Sequence, residues 1–281
     1  MTLGRPSVCL SKEVLITMAS EKMEGLALEV KSLTVGYDGQ SVLGPLSFSL
    51  PQGGSLAVIG ESGCGKSTLL TTLAGLHPAM GGDILWRDQA ATVALSERRV
   101  SFVWQRLGLF PWKRVRDNLL LPLKLHPDIC PVEERDARVA QLIDRLGLTG
   151  LENRFPAQLS GGQNQRLALG RSLISRPEVL FMDEPFSALD ALLRERLQDH
   201  LATLRHSHSG TVVFVTHDIR EAVFLGSHIL MLFPKGRGEA PKFFPNPAFS
   251  WAEGSANRDT ALFDETVRKV HHALMAVGGE R

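Results

Sequence analysis

The chain has 281 residues, 43% hydrophobic and 22% charged, enough for one large α/β domain or two small ones with a sizeable core. Lys plus Arg number 31 and Asp plus Glu 30, a formal charge of +1 that leaves no overall electrostatic footprint for nucleic acid. No apolar stretch reaches the roughly 20 residues of a membrane-spanning helix, so a role at a membrane requires a partner that does the spanning.

Cys9, Cys64 and Cys130 lie far apart without metal-ligand spacing, which fits a reducing cytosolic location. Residues 1–24 mix charges with short apolar pieces and read as a poorly ordered extension. From Leu26 to Val35 apolar and polar residues alternate as in a half-buried strand, and Gly36-Tyr37-Asp38-Gly39 reads as a turn. A second strand near Leu46 to Leu50 ends at Pro51-Gln52-Gly53-Gly54. A buried strand, Ser55 to Ile59, then leads into Gly60-Glu61-Ser62-Gly63-Cys64-Gly65-Lys66-Ser67-Thr68 and a helix-like run to Leu76.

The spacing G-x-x-x-x-G-K-[ST] is that of a phosphate-binding loop, in which backbone N–H groups and a helix N-terminus surround the phosphates of a nucleotide. Glycines are needed there because side chains would block the approach. Lys66 supplies positive charge for the β- and γ-phosphates, and the Ser67 hydroxyl can enter the shell of Mg²⁺.

Gly81-Gly82 opens a short strand, Asp83 to Trp86, and Val100 to Trp104 forms another with Gln105 at its end. The pattern then turns helical. Val115 to Leu125 and Val132 to Leu146 carry apolar residues at helical spacing, punctuated by Pro111, Pro122, Pro127 and Pro131. Leu159-Ser160-Gly161-Gly162-Gln163 is a second glycine-bearing turn, opening a helix to Ile174, and its hydroxyl and free N–H groups favour an anion. Taken alone, Ser-Gly-Gly is equally a common turn.

Val179 to Glu184 is an apolar run ending in two carboxylates, as in a central parallel strand that meets a ligand at its C-terminal end. Adjacent strand residues point in opposite directions, so Asp183 can hold Mg²⁺ through water while Glu184 acts as general base on the water attacking the γ-phosphate. In isolation the pair would read as solvated acids. Beyond Lys235 the chain is rich in Pro, Gly and Phe before an amphipathic helix around Thr260 to Val277.

Taken in order, these motifs resemble the ATP-binding subunit of ABC transporters over roughly Leu26 to Phe233. Leu159 to Gln163 matches the family's signature letter for letter, with Gly60 to Thr68 as Walker A and Val179 to Glu184 as Walker B. Tyr37 resembles the aromatic that stacks on adenine, its plainer reading being an ordinary turn aromatic. Gln105 resembles the Q-loop glutamine that senses Mg²⁺ and the γ-phosphate, Ser187-Ala188-Leu189-Asp190 the D-loop, and His217 the switch histidine. The plainer readings are a strand-ending glutamine and a core or capping histidine.

The resemblance implies an α/β fold: a P-loop NTPase core with an antiparallel β subdomain and a helical, signature-bearing subdomain at about 106–172. The ATPase domain would span 25–235, with 236–281 a tail and final helix. It implies ATP and Mg²⁺ as cofactors and a head-to-tail dimer in which Ser160 completes the partner's site. A separate permease, a solute-binding protein, and a peripheral place on the cytoplasmic face of the membrane follow, with no nucleic acid as partner. Leu109-Phe110-Pro111-Trp112, then Val115-Arg116-Asp117-Asn118, resembles importers of nitrate, sulfonate and taurine. Phe110 and Trp112 would be either part of the permease socket or packing within the helical subdomain. Arg258-Asp259 resembles a tail element of the same group or a cap on the last helix. Export, or work on DNA or ribosomes, remains the alternative, but the chain lacks the second ATPase domain or long coiled coil usual in the latter.

Overall fold

A computed structural model of the chain describes residues 25–91, 100–187, 189–206, 210–235, 239–250 and 254–275. The expected extension 1–24, with Cys9, and Ala188 of the D-loop lie outside the described residues.

The chain opens with an antiparallel hairpin of β1 (Leu26–Tyr37) and β2 (Gln40–Pro51). Its turn is tighter than the four residues expected. Only Asp38 and Gly39 form it, at φ 49° and 76°, the paired left-handed geometry whose twist matches that of the flanking strands. Gly36 and Tyr37 therefore stay in β1, and Tyr37 sits opposite Gln40. With β4 (Gly81–Trp86) and β5 (Gln89–Ala90) the sheet runs β2-β1-β4-β5.

The second sheet holds β3 (Ser55–Gly60), β6 (Val100–Val103), β7 (Val179–Asp183), β8 (Thr211–Val215), β9 (His228–Leu232) and β10 (Lys242–Pro245), in the order β10-β9-β3-β8-β7-β6. Its pairs are parallel except β10 against β9. The central strands carry apolar residues at successive positions, Leu56 to Ile59 in β3, Val179 to Met182 in β7 and Val212 to Val215 in β8, because both faces are covered. In β3, Leu56 and Val58 enter one core and Ala57 and Ile59 the other, and in β8 Val213 and Val215 oppose Val212 and Phe214 in the same way.

The first core lies between the two sheets and takes in α1 (Lys66–Leu73) through Leu69, Leu70 and Leu73. Trp86 donates its Nε1–H to the Leu73 carbonyl at 3.0 Å, fastening the antiparallel sheet to the end of that helix. The second core receives α2 (Val115–Leu125), α3 (Val132–Arg145), α4 (Gly161–Leu173), α5 (Ala191–His206), α6 (Ile219–Leu225) and α7 (Ala261–Met275).

The residues beyond 235 contribute directly to this body. Phe243 packs against the first core and Phe244 against the second, while Phe263 and Val270 of α7 are fully enclosed. Arg258 does not cap α7; Thr260 does, accepting from Phe263 N–H at 3.2 Å. Arg258 instead reaches Asp199 Oδ1 at 2.5 Å and Gln198 Oε1 at 2.8 Å on α5, with its guanidinium 3.5 Å from the centre of the Phe224 ring. It clamps the C-terminal segment to two helices at once.

Asn118, fully buried on α2, organises the loop before that helix. Its Oδ1 accepts from Phe110 N–H at 3.0 Å, and its Nδ2 donates to the carbonyls of Phe110 (3.2 Å), Lys113 (2.9 Å) and Arg114 (3.2 Å). Asn118→Ala orphans these backbone groups and is expected to cost about 2–3 kcal/mol in a denaturant titration. A loss below roughly 0.5 kcal/mol, the range of an ordinary surface substitution, would show that the loop holds itself. Trp112 on the same loop is 69% exposed, so it is not packing within the helical region; Phe110 is half-buried and meets it edge to face at 5.6 Å.

Candidate functional site

Three turns leave the C-terminal ends of parallel strands and converge, as ligand sites in open α/β sheets do. After β3 the loop 60–65 wraps into α1. Gly60 takes φ 152°, and a Cβ there would lie 2.3 Å from the Leu232 carbonyl oxygen, so no other residue fits the passage. Gly65, at φ 96°, precedes α1 without a side-chain cap, and the first turn of α1 has no acidic residue. The leading N–H groups of that helix are therefore open to an anion. Lys66 Nζ donates to the carbonyls of Gly60 (2.8 Å) and Glu61 (2.7 Å), holding its ammonium across the mouth of the loop.

A cavity of about 590 Å³ sits on this loop. It is lined by Gly60, Ser62, Gly63, Gly65, Lys66, Ser67 and Thr68, and by Tyr37, Val42, Gln105, Glu184 and His217 from other segments. Cys64 is buried in the first core, where burial pushes its thiol pKa up, and it is not among the residues lining the cavity.

The Ser67 hydroxyl donates to Asp183 Oδ1 at 3.2 Å. Asp183 is nearly enclosed, and burial raises its carboxyl above the usual range, while the bond from Ser67 pulls it back; Glu184 adds to the rise and Lys66 opposes it. A buried oxygen pair of this kind suits a hard divalent cation, which would relieve the desolvated carboxylate.

The strand expected to run to Glu184 ends at Asp183. Glu184 takes φ 48°, a left-handed value that costs energy for a residue with a side chain, and its N–H is held by the Val215 carbonyl at 3.0 Å. Backbone geometry at this step, rather than strand alternation, separates the two acids. Asp183 meets Ser67, while Glu184 lines the cavity with its Oε2 3.7 Å from His217 Nδ1.

Ser160, Gly161, Gly162 and Gln163 are not among the residues lining this cavity. They open α4 as a capping box: Ser160 Oγ accepts from Gln163 N–H at 3.2 Å and Gln163 Oε1 accepts from Ser160 N–H at 2.8 Å. Ser160 and Gly161 are exposed, and nothing lies within 4 Å of where a Gly161 Cβ would stand. The turn faces outward, away from the cavity of its own chain.

Sequence reasoning missed several participants. Val42 comes from the opposite sheet and carries no chemical signal. His77 packs on Tyr37 at 4.5 Å between ring centroids and bonds the Gly36 carbonyl through Nε2 at 2.8 Å, supporting the half-exposed tyrosine ring. Glu221 stands at the spacing Asp218-x-x-Glu221, which suggests a capping box. Asp218 does cap α6, accepting from Arg220 and Glu221 N–H, but the Glu221 carboxyl turns inward.

The family described as ABC transporter matches residues 43–187, more than half of the chain. The chain belongs to the ABC transporter family. It is 39% identical over 249 residues to the aliphatic sulfonates import ATP-binding protein SsuB of Pseudomonas fluorescens, covering 88% of each chain. To the taurine import ATP-binding protein TauB of Rhizobium johnstonii it is 41% identical over 190 residues, 68% of this chain and 71% of that one. A solved ATP-binding cassette, dimeric and bound to ADP and Pi in a post-hydrolysis state, superposes with a TM-score of 0.66 at 27% identity, covering 78% of this chain and 98% of that one. The fold of this ABC protein is thus α/β of the P-loop NTPase kind.

Proposed function

We propose that this chain is the ATP-hydrolysing subunit of an importer for a small organic anion of the sulfonate or taurine class. The observation that carries the catalytic part is the convergence of Lys66, Ser67, Gln105, Glu184 and His217 on one cavity, with Asp183 bonded to Ser67 behind it. The direction of transport rests on relatives named as import ATP-binding proteins.

The loop N–H groups and Lys66 bind the phosphates, and Tyr37, backed by His77, offers a face for the adenine ring. Glu184 takes the proton of the attacking water, and His217 orients that water and the γ-phosphate. Ser67 and Asp183, with Gln105 at hand, would hold Mg²⁺. Bound there, the ion screens phosphate charge and aligns the terminal phosphate.

Two copies pack head to tail, so that Ser160, Gly161, Gly162 and Gln163 of one close over the nucleotide held by the other. A separate permease does the membrane spanning, a reading that rests on relatives named as import ATP-binding proteins. The exposed Trp112 and half-buried Phe110, on a loop pinned by Asn118 and by Arg171 (donating to Gly108 O at 2.6 Å), form the surface offered to it from the cytoplasmic side. A solute-binding protein would deliver the cargo.

The test is complementation of sulfonate uptake in cells lacking this gene. The wild-type chain restores growth on an alkanesulfonate as sulfur source, and Trp112→Asp abolishes uptake while the purified subunit still hydrolyses ATP. Uptake unchanged by gene loss would remove the import assignment.

A further inference from the structure

Behind the Glu184–His217 pair lies a second, much smaller cavity of about 10 Å³, roughly the room one water needs. Its walls are Glu184, Phe186 and Ser187 after β7, Thr216, His217 and Asp218 after β8, Arg194 of α5 and Glu221 of α6. Two polar groups at this place have no hydrogen-bond partner among the described residues: Glu221 Oε1, which accepts when the carboxyl is ionised and can carry the proton and donate when it is neutral, and Arg194 Nε–H, a donor. The rest of the Arg194 guanidinium is used, Nη1 bonding Asp218 Oδ2 at 3.1 Å and Nη2 the Leu189 carbonyl at 3.2 Å. Both residues line this water-sized space, and a single bridging water would satisfy both groups.

We propose that Glu221 is a positioning residue that works as an uncharged carboxylic acid, holding the Glu184 carboxylate in its reactive orientation through one water seated in this cavity. The proposal rests on Glu184 being the base. Glu221 touches neither nucleotide nor attacking water. Its O–H donates to the bridging water, that water donates to Glu184, and Arg194 Nε–H donates to the water oxygen. No proton is transferred in this arrangement; it fixes the direction of the Glu184 lone pairs and adds no second negative charge beside them.

The charge state fits the surroundings. Burial removes Glu221 from water and the Asp218 carboxylate faces it, while Arg194 and the Thr216 hydroxyl pull the other way and Glu184 adds repulsion, leaving its pKa pushed up to about 8. Below that pH the acid is neutral and donates. Above it, a carboxylate at Glu221 would repel Glu184 and Asp218 and could no longer donate, so turnover falls as pH rises through about 8.

The experiment compares full-length wild type with Glu221→Gln, Glu221→Leu and Glu184→Gln by ATPase kinetics from pH 6 to 9.5. Leucine occupies the site without hydrogen bonds or an ionisable group, while Arg194 keeps its bonds to Asp218 and the Leu189 carbonyl, so the protein still folds, and its melting temperature is measured alongside the kinetics. Its kcat drops on the order of tenfold with KM for ATP unchanged, because orientation of the base is lost and nucleotide contacts are not. Glutamine, which keeps a donor but cannot ionise, recovers most of that loss and lacks the decline above pH 8. Wild-type kcat for the Leu variant, or the same alkaline decline in the Gln variant as in wild type, overturns the proposal. Either result leaves the base assignment to the Glu184→Gln arm, whose normal turnover would instead remove the reading beneath it.

Discussion

Glu184→Gln is expected to lower ATP turnover on the order of 10²- to 10³-fold, the scale of a lost general base, while leaving ATP binding intact. The amide preserves the shape of the side chain and removes only its capacity to take a proton. Glu184 lines the cavity beside His217 but is not among the groups that hold the glycine loop together, whose contacts come from Lys66 and the N-terminus of α1. Loss of hydrolysis without loss of binding should accumulate the closed, ATP-filled pair of subunits. Sedimentation of the variant with and without ATP checks this: a monomer that becomes a dimer only with ATP is the expected record. Hydrolysis at the wild-type rate would transfer the base role to another group.

Ser160→Arg is expected to abolish turnover almost as thoroughly, although Ser160 is absent from the lining of its own chain's nucleotide cavity. The substitution costs about 1 kcal/mol by removing the cap on α4, which the fold tolerates. Its main effect falls on the neighbouring subunit, where a bulky cation occupies the seat meant for phosphate. A mixing experiment separates this reading from a folding defect. Ser160→Arg and Lys66→Ala are each inactive, yet a mixed dimer contains one complete site, with Lys66 from one chain and Ser160 from the other. Equimolar mixing should restore up to about a quarter of wild-type activity, since about half the dimers are mixed and each carries one working site of two. Mixtures as dead as their components would mean that each chain works alone.

The two variants also divide what could be read from residues in order from what could not. Gly60 to Thr68, the Asp183-Glu184 pair and the Ser160 turn were legible because each does chemistry that tolerates few residue types at one spacing. The local backbone then builds the seat: a strand, a tight glycine passage and an open helix start in the first case, a capping box in the third. The parallel core was legible for a related reason, since strands covered on both faces must be apolar at successive positions, as 56–59 and 212–215 are.

Other features arise from contacts between segments far apart in the chain, and no local pattern announces them. Lys242–Pro245 is a strand because it finds the open edge of β9, and its Phe-Pro-rich sequence resembles a loop until that edge is in place. Arg258 resembles a helix cap until α5 and α6 present Asp199, Gln198 and Phe224 to it. Glu221 lies at a capping spacing, and only the closure of α5 over the turns after β7 and β8 draws its carboxyl inward, away from water.

By itself the sequence determined that this protein carries a glycine-rich loop with a lysine, a pair of acids at a strand end and a histidine after another strand, in the order that resembles an ABC ATPase, because those features are bound to residue type and spacing. Only the tertiary structure decided how they are divided. It puts Glu184 beside His217 through a left-handed backbone step, joins Asp183 to Ser67, and leaves the Ser160 turn facing outward. The reason is physical: orientation and burial come from packing between distant segments, where the cost of a strained φ or an enclosed carboxyl is borne by the whole core.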